Sequence, residues 1–285
     1  MNLSVVMTVW NREPEILLAT LRSLGRCLIE GMQVIVVNDG STLNYEWAKS
    51  YVTEKLGGIW HDIEPYEAFR IDEGFNNPAR VFNQGLLLAE SDRLIVMSSD
   101  VIVPKRTMAK ALRADFSQMV WTPYVEDTDG GPPLNGEYCG PTRLFPMPWF
   151  LGMHRPHALE VGGWDETYLK GICYEDNDFV GRLCLKTGRF VGDWSVKVFH
   201  QSHTQNAYQY QIGDGSELAQ ANVRNRDLTQ LKWGGIPFDA EYTPFDVNRK
   251  MHASGEVGHE CIDKSGKLER AVRMTTGLVA DRVAA

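Results

Sequence analysis

The sequence carries no excess of positive charge. Its 29 Lys and Arg face 37 Asp and Glu, giving a net charge of -8 and a pI of about 5.4. No global basic field therefore draws it to nucleic acid or to an anionic membrane. No apolar run approaches the roughly 20 residues that a membrane-spanning helix needs. The five cysteines (27, 139, 173, 184 and 261) lie far apart, with neither a CxxC pair nor an even-numbered framework. Reduced thiols in a cytoplasmic protein are the reading they support. Met1-Asn2-Leu3 leads straight into a first strand, which leaves no room for a signal peptide. Internal repeats and low-complexity tracts are also missing. What remains is a chain of 285 residues, 43% hydrophobic, suited to one large domain or a domain with a C-terminal part.

The stretch that organises the chain is Arg93-Leu94-Ile95-Val96-Met97-Ser98-Ser99-Asp100. A short apolar run ending in small polar residues and a carboxylate reads as a buried strand, with Asp100 at its carboxyl edge. Open α/β sheets bind ligands at that edge. A single acid there can hold a hard divalent cation against a diphosphate, or simply cap a turn. Upstream, Leu3–Val9 reads as a strand, Pro14 starts a helix with Leu17, Leu21, Leu24 and Leu28 as its buried stripe, and Gln33–Val37 is a second strand. Strand, helix and strand in this order make a parallel unit with a right-handed crossover. Asn76-Asn77-Pro78 opens a further helix. The spacing then predicts a helix over 108–116, a strand over 119–123, a mobile loop over 126–138, a helix over 174–186 stopped by Gly188, and a strand over 194–199. Beyond residue 204 the pattern is polar and irregular until 268–283, which reads as a basic amphipathic helix.

Chemistry gathers in three places besides Asp100. Asn38-Asp39-Gly40-Ser41 is either a turn or a carboxylate offered to a nucleobase imide, with the glycine allowing close approach. Glu175-Asp176-Asn177-Asp178 opens a helix with more acid than a cap needs, so one carboxylate can serve as a general base. The helix dipole would keep that acid ionised. His200 and His203 follow a strand and offer imidazoles to a Mn-like metal alongside Asp100.

The order of these segments carries more than any one of them. Thr8-Val9-Trp10-Asn11-Arg12, Asn38-Asp39-Gly40-Ser41, Ala79-Arg80 with Asn83 and Gly85, and Ser98-Ser99-Asp100 resemble the nucleotide-sugar-binding half of family 2 glycosyltransferases. Val161-Gly162-Gly163-Trp164-Asp165-Glu166 and Tyr174-Glu175-Asp176-Asn177-Asp178-Phe179 with Arg182-Leu183 resemble the acceptor half. The resemblance implies a GT-A fold: α/β, Rossmann-like, with a mixed, mostly parallel central sheet flanked by helices. It places a glycosyltransferase domain over 1–203, divided at 104 and 105 into nucleotide-sugar and acceptor halves, and a C-terminal extension over 204–285. It implies inverting transfer of a sugar from a nucleoside diphosphate sugar donor to an acceptor hydroxyl, assisted by Mn2+ or Mg2+. Asp176 would be the catalytic base. Thr8, Trp10, Asn11, Asp39, Arg80, Ser99 and Asp100 would line the donor site, with Asp39 on the base. Trp164, Asp165 and Glu175 would face the acceptor, and Asp100 with His200 would hold the metal.

Two positions depart from the family pattern: Ser98 replaces the first acid of the DxD motif, and the aromatic after the first strand is Trp10. The acceptor implied is a glycan or glycolipid, which would place the protein in the cytoplasm, peripherally at the inner membrane face. One alternative is transfer to hydroxylated bases of DNA, along a rim of Arg143, Arg155, Arg182 and Arg189. A non-catalytic sugar-nucleotide-binding protein and a nucleotidyltransferase are the others, against which the retained Asp176 and the Gly-Gly-Trp-Asp-Glu segment speak. Residues 204–214, tethered to His200 and carrying Tyr208 and Tyr210, are expected to act as a lid or a plain linker.

Overall fold

The computed structural model describes residues 2–64, 77–128, 137–140, 147–203, 216–237, 255–262 and 268–276. Its first half alternates strand and helix as the hydrophobic pattern dictates. The elements are β1 (Leu3–Val9), α1 (Pro14–Gly25), β2 (Met32–Asn38), α2 (Glu46–Ser50), β3 (Ile59–Asp62), α3 (Ala79–Leu88) and β4 (Arg93–Ser98). Pro14 supplies the first position of α1, where a missing N–H costs nothing, and Leu17, Leu21 and Leu24 are buried as the spacing requires. β1 pairs in parallel with β2 on one side and with β4 on the other, and β3 pairs in parallel with β2. These central strands are buried on both faces, hence their continuous apolar runs.

The second half comprises β5 (Val101–Ile102), α4 (Lys105–Ala111), β6 (Val120–Asp127), β7 (Glu137–Cys139), β8 (Phe150–His154), α5 (Arg155–Glu160), α6 (Glu175–Thr187), β9 (Arg189–His200), α7 (Glu217–Trp233), β10 (Gly255–Ile262) and β11 (Leu268–Thr276). Among the described residues all strands join one mixed sheet in the order β11-β10-β9-β6-β8-β4-β1-β2-β3, with β5 on β9 and β7 on β6. β8 runs antiparallel between β4 and β6. The register of β6 on β9 jumps from Pro123 opposite Asp193 to Tyr124 opposite Lys197, which brings Asp127 opposite His200. α3 lies tightly on β1: a Cβ on Gly85 would meet Val6 Cγ1 at 2.2 Å.

Several sequence expectations change. The helix expected over 268–283 is, over Leu268–Thr276, a strand paired antiparallel with β10. Leu268 and Val272 are four apart, a spacing that serves a helix face and a strand face equally. β-branched Val272, Thr275 and Thr276, together with a partner strand, favour the extended form. The region after 204 is not uniformly irregular either. α7 is capped by Ser216, whose hydroxyl accepts from Ala219 N at 3.1 Å, and Gly234 at φ 69° ends it. Its apolar stripe is thin, so periodicity did not show it. Residues Glu126 and Asp127 of the expected loop extend β6, and Glu137–Cys139 forms β7. The expected lid over 204–214 lies outside the described residues.

Candidate active site

The sheet direction changes at β1: the chain first builds outward through β2 and β3, then returns to place β4 on the other flank. A crevice forms at the carboxyl ends where such a reversal occurs. The segments Trp10–Arg12 and Ser98–Asp100 leave β1 and β4 at that point. The β1 loop is fastened to the β2 loop by Asn11, which accepts from Thr42 N at 2.8 Å and donates its own N–H to Ser41 Oγ at 3.0 Å. Asn11 adopts φ 43°, an uncommon conformation for a residue with a side chain. Asp39 is buried beside it, its backbone N–H donating to Val9 O at 2.9 Å. Thr8 and Trp10 are half-buried, Ser99 is buried, and Arg80 at the start of α3 donates to Glu64 O at 3.3 Å.

Asp100 is 1% exposed. The Asp100 carbonyl accepts from Gln201 N at 2.8 Å, and Val101 pairs with His200, so β5 and β9 lock the carboxylate against the two histidines. His203 Nε2 lies 3.0 Å from Asp100 Oδ2 and His200 Nε2 3.8 Å from Oδ1. His200 Nδ1 lies 3.4 Å from Asp127 Oδ1. Arg12 Nη2 reaches Asp100 Oδ2 at 2.9 Å. Burial alone would raise the Asp100 pKa, but the Arg12 guanidinium and the histidines hold it well below the usual carboxylate range. Burial lowers the pKa of His203 and so favours its neutral imidazole, while Asp100 works the other way.

Asp100, His200 and His203 each offer one ligand atom, all within 4.8 Å of one another. Asp100 Oδ1 accepts no hydrogen bond among the described residues. One carboxylate and two imidazoles around an orphaned buried oxygen fit a Mn-like divalent ion, and fit Mg2+ less well because it prefers an all-oxygen shell.

The acidic cluster sorts itself by contact. Cys173 at φ 60° and Tyr174 at φ 68° turn the chain sharply into α6. Glu175 is buried and accepts from Asn77 Nδ2 at 2.7 Å. Asp178 is buried, gripped by Arg182 Nη2 at 2.7 Å, Trp233 Nε1 at 2.9 Å and Lys232 Nζ at 3.3 Å. Asp176 is half-buried, with Trp164 Nε1 donating to Oδ1 at 2.8 Å. Burial raises the pKa of both Glu175 and Asp176, and the Asp176 charge raises Glu175 further. Desolvation raises the Asp176 pKa, whereas the helix dipole acts to keep the acid ionised.

Trp164 is 1% exposed, its ring stacked 3.6 Å from Phe179 and 4.7 Å from Phe82. It therefore holds Asp176 rather than presenting a free ring. Asp165 caps the next turn through Thr167 N at 2.8 Å and pairs with Lys232. Asn83 fixes the tryptophan with two bonds, Nδ2 to Trp164 O and Trp164 N to Oδ1, both 2.8 Å. Three of the four rim arginines lie among the described residues. Arg155 donates to the Leu86 and Leu87 carbonyls, Arg182 is spent on Asp178, and Arg189 starts β9 at the end opposite His200. Arg143 lies outside the described residues. Arg12, Asn77, Asn83 and Asp127 are the contributors that sequence reasoning did not single out. Arg12 and Asn83 carried a signal, through their places in the motifs.

Residues 4–137 match the sequence family described as Glycosyl transferase family 2. Over these residues, just under half of the chain, the sequence is similar to that family. No curated protein matches the chain in sequence. Among solved structures, S. aureus TarS (residues 1–349, in complex with UDP-GlcNAc) superposes with a TM-score of 0.62 at 15% identity, covering 81% of this chain and 65% of that one. The mannosyltransferase PcManGT of Pyrobaculum calidifontis, in complex with GDP-Man and Mn2+, gives 0.54 at 14% identity, covering 83% and 66%. GalNAc-T7 with UDP, GalNAc and Mn2+ gives 0.55 at 13%, covering 81% and 48%. The mixed sheet flanked by helices is thus the GT-A fold. The chain spans 60% of one further TarS structure. Among the described residues no helix is long and apolar enough to cross a membrane.

Proposed function

We propose that this chain transfers a sugar from a nucleoside diphosphate sugar to an acceptor hydroxyl, with inversion at the anomeric carbon and with help from a divalent metal. The observation that carries the assignment of the base is the sorting of the acidic cluster. Glu175 and Asp178 are buried and committed to Asn77 and to Arg182, whereas Asp176 is half-buried and held by one indole N–H. A raised pKa brings a carboxylate closer to the basicity useful near neutral pH. Asp176 takes the acceptor proton as the hydroxyl oxygen attacks the anomeric carbon, and the diphosphate departs on the opposite face.

Asp100, His200 and His203 would hold the cation, which supplies positive charge to the leaving diphosphate. Asp39, with Thr8, Trp10 and Asn11 around it, receives the base, and Arg80 and Ser99 complete the donor site. Trp164, Asp165 and Glu175 lie on the acceptor side in this reading, and Trp164 positions Asp176. Neighbours solved with UDP-GlcNAc and with GDP-Man and Mn2+ support the donor class and the metal. A glycan or glycolipid is the acceptor we favour. The net charge of -8 and the inward-turned arginines offer little to a nucleic-acid backbone. The free thiols of Cys27, Cys139, Cys173 and Cys184 support a reducing, cytoplasmic setting.

The test is a thermal-shift screen of UDP- and GDP-sugars with and without Mn2+, followed by mass spectrometry of transfer to glycan acceptors. NMR of the product anomer then reads inversion. Binding without turnover for any acceptor would move the protein to the sugar-nucleotide-binding class.

A further inference from the structure

Arg12 is 8% exposed, and its guanidinium places Nη2 2.9 Å from Asp100 Oδ2. Among the described residues its Nε and Nη1 have no hydrogen-bond partner, and Nη1 comes only within 3.8 Å of Glu13 Oε2. A buried guanidinium with most of its donors unspent is costly, so its place must be imposed. The backbone imposes it. The Arg12 carbonyl accepts from the Tyr45 hydroxyl, and the preceding Asn11 is tied to Ser41 and Thr42. The main chain is thus fixed at Arg12 and at the residue before it, which aims the side chain at Asp100.

The oxygen it holds is the one His203 also approaches at 3.0 Å, within the three-residue cluster suited to a cation. A divalent ion on the free Oδ1 and a guanidinium on Oδ2 of one buried carboxylate repel each other as like charges. We infer that Arg12 is a built-in competitor of the metal, an internal cation that neutralises Asp100 until a divalent ion displaces it. This rests on the metal reading given above. It leaves the buried Asp100, which has Ser98 rather than a second acid beside it, paired with a cation of the chain itself. It also means that metal binding must release a guanidinium whose donors can then meet an anion.

The experiment is titration of the full chain with Mn2+ alone, by calorimetry and by the Mn2+ electron paramagnetic resonance signal. Arg12→Gln should bind Mn2+ about tenfold or more tighter than wild type, the gain expected when a competent state populated about one-tenth of the time becomes fully populated. Arg12→Lys keeps a cation without the fork and should fall between the two. Near-UV circular dichroism checks folding, and Arg12→Lys decides if Arg12→Gln does not fold. Equal or weaker Mn2+ binding by the folded variant overturns the inference. Asp100→Ala separates this from the metal reading. If wild-type binding needs Asp100 yet loss of Arg12 does not tighten it, only the competitor falls. If binding ignores Asp100, or neither wild type nor the Arg12 variants bind, both fall.

Discussion

The indole N–H of Trp164 donates to Asp176 Oδ1 at 2.8 Å while the same ring is clamped between Phe82 and Phe179. The tryptophan thus transmits the rigidity of the core to a single half-buried carboxylate. Its hydrogen bond also works against burial by favouring the ionised acid. Trp164→Phe keeps the stack and deletes the donor, so the Asp176 pKa should rise further. Transfer requires the ionised base, so the acid limb of the kcat/KM profile should move to higher pH. Activity at neutral pH should fall several-fold and recover on the alkaline side. An unmoved limb would detach the tryptophan from the base.

Asp176→Asn should keep nucleotide binding and lose transfer by roughly two to four orders of magnitude, the usual contribution of a general base. Calorimetry with the nucleotide and a turnover assay on the same sample check both halves.

Asp178 should behave oppositely. It bonds Arg182, Lys232 and Trp233, tying α7 to α6, and a Cβ on Gly181 would meet the Trp233 ring at 2.8 Å. Asp178→Ala strands Arg182 and should cost about 3–5 kcal/mol, as when one partner of a buried pair is removed. Denaturant unfolding reads this directly. A variant of normal stability but no activity would reverse the roles of Asp176 and Asp178.

Asp100→Ala should abolish the tightening of nucleotide binding by Mn2+, whereas Ser98→Ala should change little. With two imidazoles in the ligand set, Mn2+ should support binding better than Mg2+. Calorimetry with each ion is the check, and equal nucleotide affinity with and without Mn2+ would remove the metal from the proposal.

Glu175 links pH to stability. Its folded pKa is raised by burial and by Asp176, so the unfolded chain releases that proton first as pH rises. Its stabilising contribution is complete below the unfolded carboxylate value and is lost as pH climbs through the folded one. Glu175→Gln removes that slope. The Tm of the variant should change less than that of wild type between about pH 5 and about pH 8. Parallel Tm curves would show that Glu175 is ionised throughout.

The sequence by itself determined the layout of the first half of the sheet. Continuous apolar runs such as Val34–Val37 and Leu94–Met97 specify buried parallel strands, and Pro14 and the leucine stripe specify α1. Each run ends in a short polar motif, so the positions of Asp39 and Asp100 at the sheet edge were legible. These are local signals, written within a few residues of the element they describe. Tertiary structure decided which groups meet. Nothing near Arg12 in the chain points to Asp100, nor anything near Asn77 to Glu175, because both pairs are joined only by strand order and helix docking. It also gave the three acids different surroundings. The resemblance alone singled out Asp176 in the sequence, and in the fold Glu175 and Asp178 are buried while Asp176 is half-buried, which supports the proposed base. The 268–276 segment went to the sheet for the same reason, since a spacing of four fits helix and strand alike until a partner strand is present.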